Sequence, residues 1–421
     1  MKNANVQIIP VRDTKFNTKT VNIFFCDTLT TERAAYHSLI PMVLRRGTQN
    51  YPTTKELNIR CQELYSTGIY ADVDKKGEVQ IASFTVSFLE EKYAKEETNL
   101  FQKAVDLLFE MLGNPLLEHG CFSKNYVEQE KENLCDLIAS KINNKSFYAN
   151  YRCVEEMCAH EAYSIDEMGT EETVRALTAE ALYSYYKDVF LKKLPVLVYV
   201  TGNVNEADLA YVSTCCEKMG LASEAGNLPS PGTLLPAKDP VKEVIEPMNV
   251  IQGKLCMGFR TQTCANDPLY PALTICNMIL GGGMESKLFQ NVREKESMAY
   301  YAYSRIDKFK GVLLVAAGIE IENYEKAKDL ILQQVKAIQQ GDITEQEFEA
   351  AVNSYLDAVT QMKDKQRTQA EFYLGQTICN VKGDLDDLTE KIRQVTKEAV
   401  VQVSQRILLD TVYFLTAKED T

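Results

Sequence analysis

Residues 281–304 read GGGMESKLFQNVREKESMAYYAYS and follow a largely apolar run, Leu273–Leu280. That run reads as an apolar helix. Gly281, Gly282 and Gly283 end it, since glycine accepts a helix stop and lets another backbone come close. A phosphate-loop reading finds little support: no Lys-Ser/Thr follows the glycines, and the element before them is helical rather than a strand. Beyond the loop, Arg293 and Tyr300 could set a guanidinium and a phenol on one wall. Both donate hydrogen bonds and suit a peptide carbonyl or an oxyanion. The plainer alternative is a surface arginine and a core tyrosine.

Outward from this stretch, the chain repeats itself. Val21–Phe25 (VNIFF) reads as a buried strand and returns as Leu255–Phe259 (LCMGF). The apolar helix Tyr36–Leu44 returns as Tyr270–Met278, and the strand Val79–Val86 as Gly311–Gly318. Paired amphipathic helices follow, Leu100–Leu112 with Tyr324–Ile338, then 125–140 with 345–359. Each half closes on a strand, Pro195–Val200 and Thr411–Leu415. Thr53-x-x-Glu56 and Thr344-x-x-Glu347 read as capping boxes at helix starts. Matched elements in one order point to duplication. Strands with helices grouped between them predict an α+β fold: two homologous domains, each a mixed, mostly antiparallel sheet with helices packed on one face. Gly226–Pro240 (GNLPSPGTLLPAKDP) reads as the linker, giving domains 1–225 and 241–421.

Composition narrows the function classes. The 421 residues are 45% hydrophobic, enough for more than one core, and the formal charge is −13. That acidity argues against nucleic acid or an anionic membrane as partner. The start, Met1–Gln7, lacks the apolar core of a signal peptide, and no run of roughly 18 apolar residues suggests a membrane span. The 12 cysteines include no Cys-x-x-Cys and often sit in apolar runs, such as Cys26 and Cys276. They read as reduced, buried thiols, and the expected location is cytoplasmic.

Histidine is the sharpest constraint, because the chain has 3: His37, His119 and His160. A hydrolytic zinc site usually pairs histidines three or four residues apart on a helix, and none of these is so paired. Each reads as a surface or capping histidine. No G-x-S-x-G elbow supports serine-triad chemistry. Cysteine–histidine catalysis stays open, because its partners need only meet in space.

Together, the glycine loop, Leu-Phe-x-x-Val-Arg-Glu-Lys and Tyr300 resemble the C-terminal domain of the pitrilysin family of zinc peptidases. This family, the inverzincins, includes the mitochondrial processing peptidases, and the resemblance spans nearly the whole chain. It implies that Arg293 and Tyr300 bind substrate or stabilise a transition state. In its N-terminal half the family carries His-x-x-Glu-His shortly before Lys-Gly-Thr. Arg46-Gly47-Thr48 anchors that motif here. Counting back, Ser38 and Met42 stand where the metal-binding histidines belong, and Pro41 stands where the general base belongs. The third ligand, a glutamate, aligns with Leu137. Proline has no ionisable group, and a thioether is ill suited to hydrolytic zinc. Even His37, one register away, would add a single imidazole.

The resemblance therefore implies a subunit without catalytic residues or metal of its own. Zinc is expected in a homologous partner subunit, with Arg293, Tyr300 and the glycine loop contributing the binding of a peptide substrate. A heterodimer is the expected assembly, and a homodimer is an alternative for the isolated chain. The runner-up is a scaffold or peptide-binding protein without a peptidase partner.

Overall fold

The computed structural model describes residues 6–95 and 99–418. Met1–Asn5, part of the start read for a signal segment, lies outside them. The first half runs β1 (Val6–Arg12), β2 (Thr18–Thr28), α1 (Thr31–Leu44), α2 (Thr54–Glu63), β3 (Gly68–Lys76), β4 (Val79–Leu89), α3 (Leu100–Gly113), α4 (Lys124–Ser140), α5 (Lys145–Met157), β5 (Val196–Gly202) and α6 (Glu206–Met219). The second half runs β6 (Lys242–Met248), β7 (Gly253–Arg260), α7 (Tyr270–Gly281), β8 (Ala299–Asp307), β9 (Val312–Ile319), α8 (Tyr324–Gln339), α9 (Glu345–Lys363), α10 (Gln366–Ile378), α11 (Leu385–Arg393), α12 (Lys397–Ser404) and β10 (Leu408–Ala417). Both capping boxes form, at Thr53 for α2 and at Thr344 for α9.

The chain builds two compact units, each with one five-stranded sheet. Unit one orders its sheet β1-β5-β2-β4-β3, and unit two orders its own β6-β10-β7-β9-β8. In each, the first pair is parallel and the other three are antiparallel. The two sheets therefore match strand for strand, as a duplicated α+β fold requires. Alternation along the strands explains the faces. Val21, Ile23 and Phe25 of β2 face a core with α1 and α3, while Leu255, Met257 and Phe259 of β7 face one with α7 and α8.

The units are not contiguous in the chain. Unit one comprises residues 1–139, 165–230 and 365–378; unit two comprises 140–164, 231–364 and 379–421. Each sheet thus has its second face covered by a helix from the other half of the sequence. In unit one, Tyr199 of β5 bonds α10 through its phenol, to Tyr373 O at 3.2 Å and Thr377 Oγ1 at 2.7 Å. In unit two, Ala149, Cys153 and Met157 of α5 pack on Cys256, Leu314 and Tyr413. A Cβ at Gly258 would lie 2.7 Å from Met157 Sδ and 3.4 Å from Cys153 Sγ, so glycine lets α5 settle on β7.

Buried charges fix the stretch that follows α5. Arg260 Nη2 meets Glu161 Oε1 at 2.5 Å, and Lys310 Nζ meets Glu161 Oε2 at 2.7 Å. Arg260 Nε also reaches Asp410 Oδ2 at 3.2 Å, and Lys238 Nζ meets Asp410 Oδ1 at 3.0 Å. Asp410 is the extra residue of a bulge in β10, between Leu409 and Thr411. Such a bulge re-aims a side chain that regular pairing would place elsewhere. Burial opposes ionisation of Glu161, but Arg260 and Lys310 outweigh it and hold its pKa below the usual 4.5.

Candidate functional site

In unit one, α1 and α4 carry the positions aligned with the family's metal site. Ser38 is buried and its Oγ donates to the carbonyl of Glu167 at 2.7 Å. Gln80 Nε2 shares that carbonyl at 2.6 Å and reaches Ala34 O at 3.0 Å. Pro41 sits inside α1, where it removes a backbone donor and offers nothing titratable. Met42 is half-buried against the unit's core, and Leu137 is exposed on α4. Zinc asks for about four nitrogen, thiolate or carboxylate donors. A hydroxyl already spent on a carbonyl, a thioether, a proline and a leucine do not fit it. Among the described residues, no group of three or more His, Cys, Asp or Glu is placed to hold a metal ion. Arg46, just past the end of α1, is tied to α4: it meets Glu130 at 3.2 Å and stacks over Tyr126 at 4.8 Å.

His37 departs from its sequence reading. It is 1% exposed rather than a surface or capping group. Its Nε2 lies 2.8 Å from the Tyr185 hydroxyl and 3.6 Å from Asp27 Oδ2, too long for a hydrogen bond. Burial, aided by the Arg33 charge, pushes its pKa down to about 3, so the ring is neutral. His37 turns inward because β4 and the helix Ala179–Tyr185 both pack on α1. His119 and His160 are exposed, as read; His119 sits in a turn with φ +54°.

In unit two, the segment after α7 supplies the other candidates. Gly281 packs so closely on β8 that a Cβ would lie 2.4 Å from Ser304 N, so the backbone it admits belongs to this chain. Gly282 closes on Met278, while Gly283 faces open space. Residues 288–295 form a wide π-helical turn, with Arg293 stacked over Phe289 at 4.5 Å and Nε 3.5 Å from Glu294. Tyr300 follows on β8, at the sheet's edge. Ala299 pairs with Ile319 and Tyr301 with Gly318, which leaves Tyr300 as a one-residue bulge outside the ladder. It is 59% exposed, and its phenol donates to Glu320. That bond holds the Tyr300 pKa above its usual 10.0, keeping the proton on the phenol. Among the described residues, no hydrogen bond joins Arg293 to Tyr300; each engages a carboxylate of its own.

Glu320, Phe289 and Tyr185 were not foreseen. Their roles depend on a bulge, a π-turn and a tertiary contact that leave no periodic mark in sequence.

With this geometry in view, known proteins were compared. A family model described as the peptidase M16 inactive domain matches residues 176–355. The "Probable inactive metalloprotease YmfF" of Bacillus subtilis (strain 168) is 36% identical over 409 residues, covering 97% of this chain and 95% of its own length. The chain belongs to the peptidase M16 family. It is similar over 282 residues, at 25% identity, to the "Uncharacterized zinc protease YmxG" of the same bacterium, covering 64% of this chain and 63% of that one. A crystal structure of a conserved protein from Enterococcus faecalis superposes with a TM-score of 0.90 at 27% identity, covering 99% of this chain and 97% of that one. The M16 assignment agrees with the pitrilysin resemblance and with the duplicated sheets. Among the described residues, no helix of this M16 chain is long and apolar enough to cross a membrane.

Proposed function

We propose that this M16 chain is the non-catalytic subunit of a two-subunit zinc peptidase and binds extended peptide for a zinc-bearing homologue. The observation that carries the reading is an asymmetry of side chains. The positions aligned with the metal site present Ser38, Pro41, Met42 and Leu137, which cannot ligate hydrolytic zinc. Arg293 and Tyr300 remain, solvent-accessible, beside a sheet edge. Such an edge carries a row of unpaired backbone donors and acceptors and takes an added strand readily. Arg293 would donate to a peptide carbonyl, and Tyr300 would position the group being attacked in the partner's site. A heterodimer is supported further by one bacterium holding both an inactive-type and a zinc-protease relative of this chain.

The engagement of Arg293 by Glu294 and of Tyr300 by Glu320 favours a second reading, a scaffold whose donors are satisfied internally. Co-expression with a zinc-bearing homologue and a quenched-peptide assay separates the two. The first reading expects Arg293→Ala and Tyr300→Phe to lower the activity of the mixed complex by roughly 10- to 1000-fold. Unchanged activity in both variants would leave the scaffold.

A further inference from the structure

A pocket of about 190 Å³ opens in unit one between the sheet and α10. Phe24, Ile81 and Leu374 wall it, with Asp74, Lys76 and Glu371 around it. Duplication supplies an internal control for what such a space holds. With Val21, Ile23 and Phe25 matched to Leu255, Met257 and Phe259, Tyr199 coincides with Tyr413 as the cross-strand partner of matched positions, Asn22 and Cys256. At this register Cys26 pairs with Ile81 and Ile81 with Asp74. In unit two the same rung is Arg260, Val312 and Asp307.

Asp74 and Asp307 are therefore counterparts on the two edge strands. Asp74 Oδ1 accepts from the adjacent Lys75 N at 2.8 Å, whereas Asp307 Oδ1 accepts from Phe309 N at 2.8 Å and Lys310 N at 3.1 Å. Their second oxygens differ. Asp307 Oδ2 accepts the phenol of Tyr163 at 2.7 Å, and that ring packs with Val312 and Leu314. Asp74 Oδ2 has Lys76 Nζ at 3.7 Å. Tyr163 comes from the crossing stretch of unit two, which continues past α5 to Ser164. The crossing stretch of unit one stops with α10 at Ile378, so no tyrosine follows it into place. Ser83 also stands where unit two has the larger Leu314.

We infer that this pocket binds a tyrosine-type phenol, ring between Phe24, Ile81 and Leu374, with its hydroxyl donating to Asp74. A cationic guest would meet Lys76 and Arg367, and an anionic one Asp72, Asp74 and Glu371. A neutral ring with a single donor satisfies both, and its face suits the neighbouring cations. None of the Arg293/Tyr300 residues takes part, so the inference stands independently of the proposed peptidase role. The phenol's source is either a tyrosine within a protein segment or a small free phenol.

The full chain, methyl-labelled at isoleucine and leucine, would be titrated by NMR with N-acetyltyrosinamide, N-acetylphenylalaninamide and a blocked Gly-Tyr-Gly. Ile81 and Leu374 methyls should respond, with the tyrosine amide binding roughly tenfold tighter than the phenylalanine amide. Asp74→Ala should abolish that preference, and Ser83→Leu should close the pocket; a melting curve checks that both variants stay folded. Tighter binding of the tripeptide supports a protein segment as the source, and equal binding supports a free phenol. Silent Ile81 and Leu374 methyls, no preference for the phenol, or an unchanged preference in Asp74→Ala would overturn the inference.

Discussion

His37 shows how much one side chain can decide. Its folded pKa of about 3 lies below the usual 6.5 because burial and then Arg33 disfavour the imidazolium. A histidine depressed on folding contributes stability that is complete above its unfolded pKa and is lost as pH falls. The chain should therefore weaken from about pH 6.5 downward, by up to ~5 kcal/mol over the whole interval. Replacing His37 with Gln should flatten the urea midpoint between pH 6.5 and pH 4, and an unchanged slope would assign it to other groups. The sequence already showed that His37 had no histidine partner at ligand spacing. It could not show the burial, which depends on Tyr185 arriving from a distant helix. The alignment of Ser38, Pro41 and Met42 with the metal motif rests on Arg46-Gly47-Thr48 as its anchor. Glu320 was not, because its bond to Tyr300 depends on the bulge.

At the scale of elements, α5 is the feature that strand and helix patterns leave undetermined. Its apolar residues predict a buried face, but not which sheet receives it. Two changes test its seat on β7. Gly258→Ala would push a methyl into Met157 and cost about 1–3 kcal/mol, read from the urea midpoint. Glu161→Ala would leave Arg260 and Lys310 without their shared carboxylate at a cost of ~3–5 kcal/mol. The same pair sets an acid limit. Burial raises the pKa of both Glu161 and Asp410, yet Glu161 is held below the usual 4.5 by Arg260 and Lys310, and Asp410 below 3.8 by the Thr411 hydroxyl together with Lys238 and Arg260. Carboxylates lowered on folding contribute stability above their unfolded values, and it drains away as pH falls through the folded ones. Urea midpoints should thus fall more steeply below about pH 4.5, and Glu161→Gln should reduce that steepening. Steepening of undiminished size in Glu161→Gln would remove the network from the explanation.

For the whole molecule, the paired strands, the apolar helices and the capping boxes make the duplication readable in the sequence. What stayed hidden was the exchange of helices, since sequence order says nothing about which half's sheet a surface helix covers. The exchange has a direct consequence. A fragment of residues 1–230 lacks α10, and 231–421 lacks α5, so each exposes one apolar sheet face. Neither should give a cooperative melt alone, whereas co-expressed fragments should assemble; a cooperatively folded, monomeric 1–230 would refute this. The central claim is that the chain lends peptide-binding groups to a zinc-bearing homologue. It is tested most directly by titrating the purified chain into such a homologue and measuring kcat/KM on a quenched peptide. The account predicts activity that rises to saturation with added chain and falls when the chain carries Arg293→Ala or Tyr300→Phe. Activity indifferent to the chain, or hydrolysis with stoichiometric zinc by the chain alone, would contradict it.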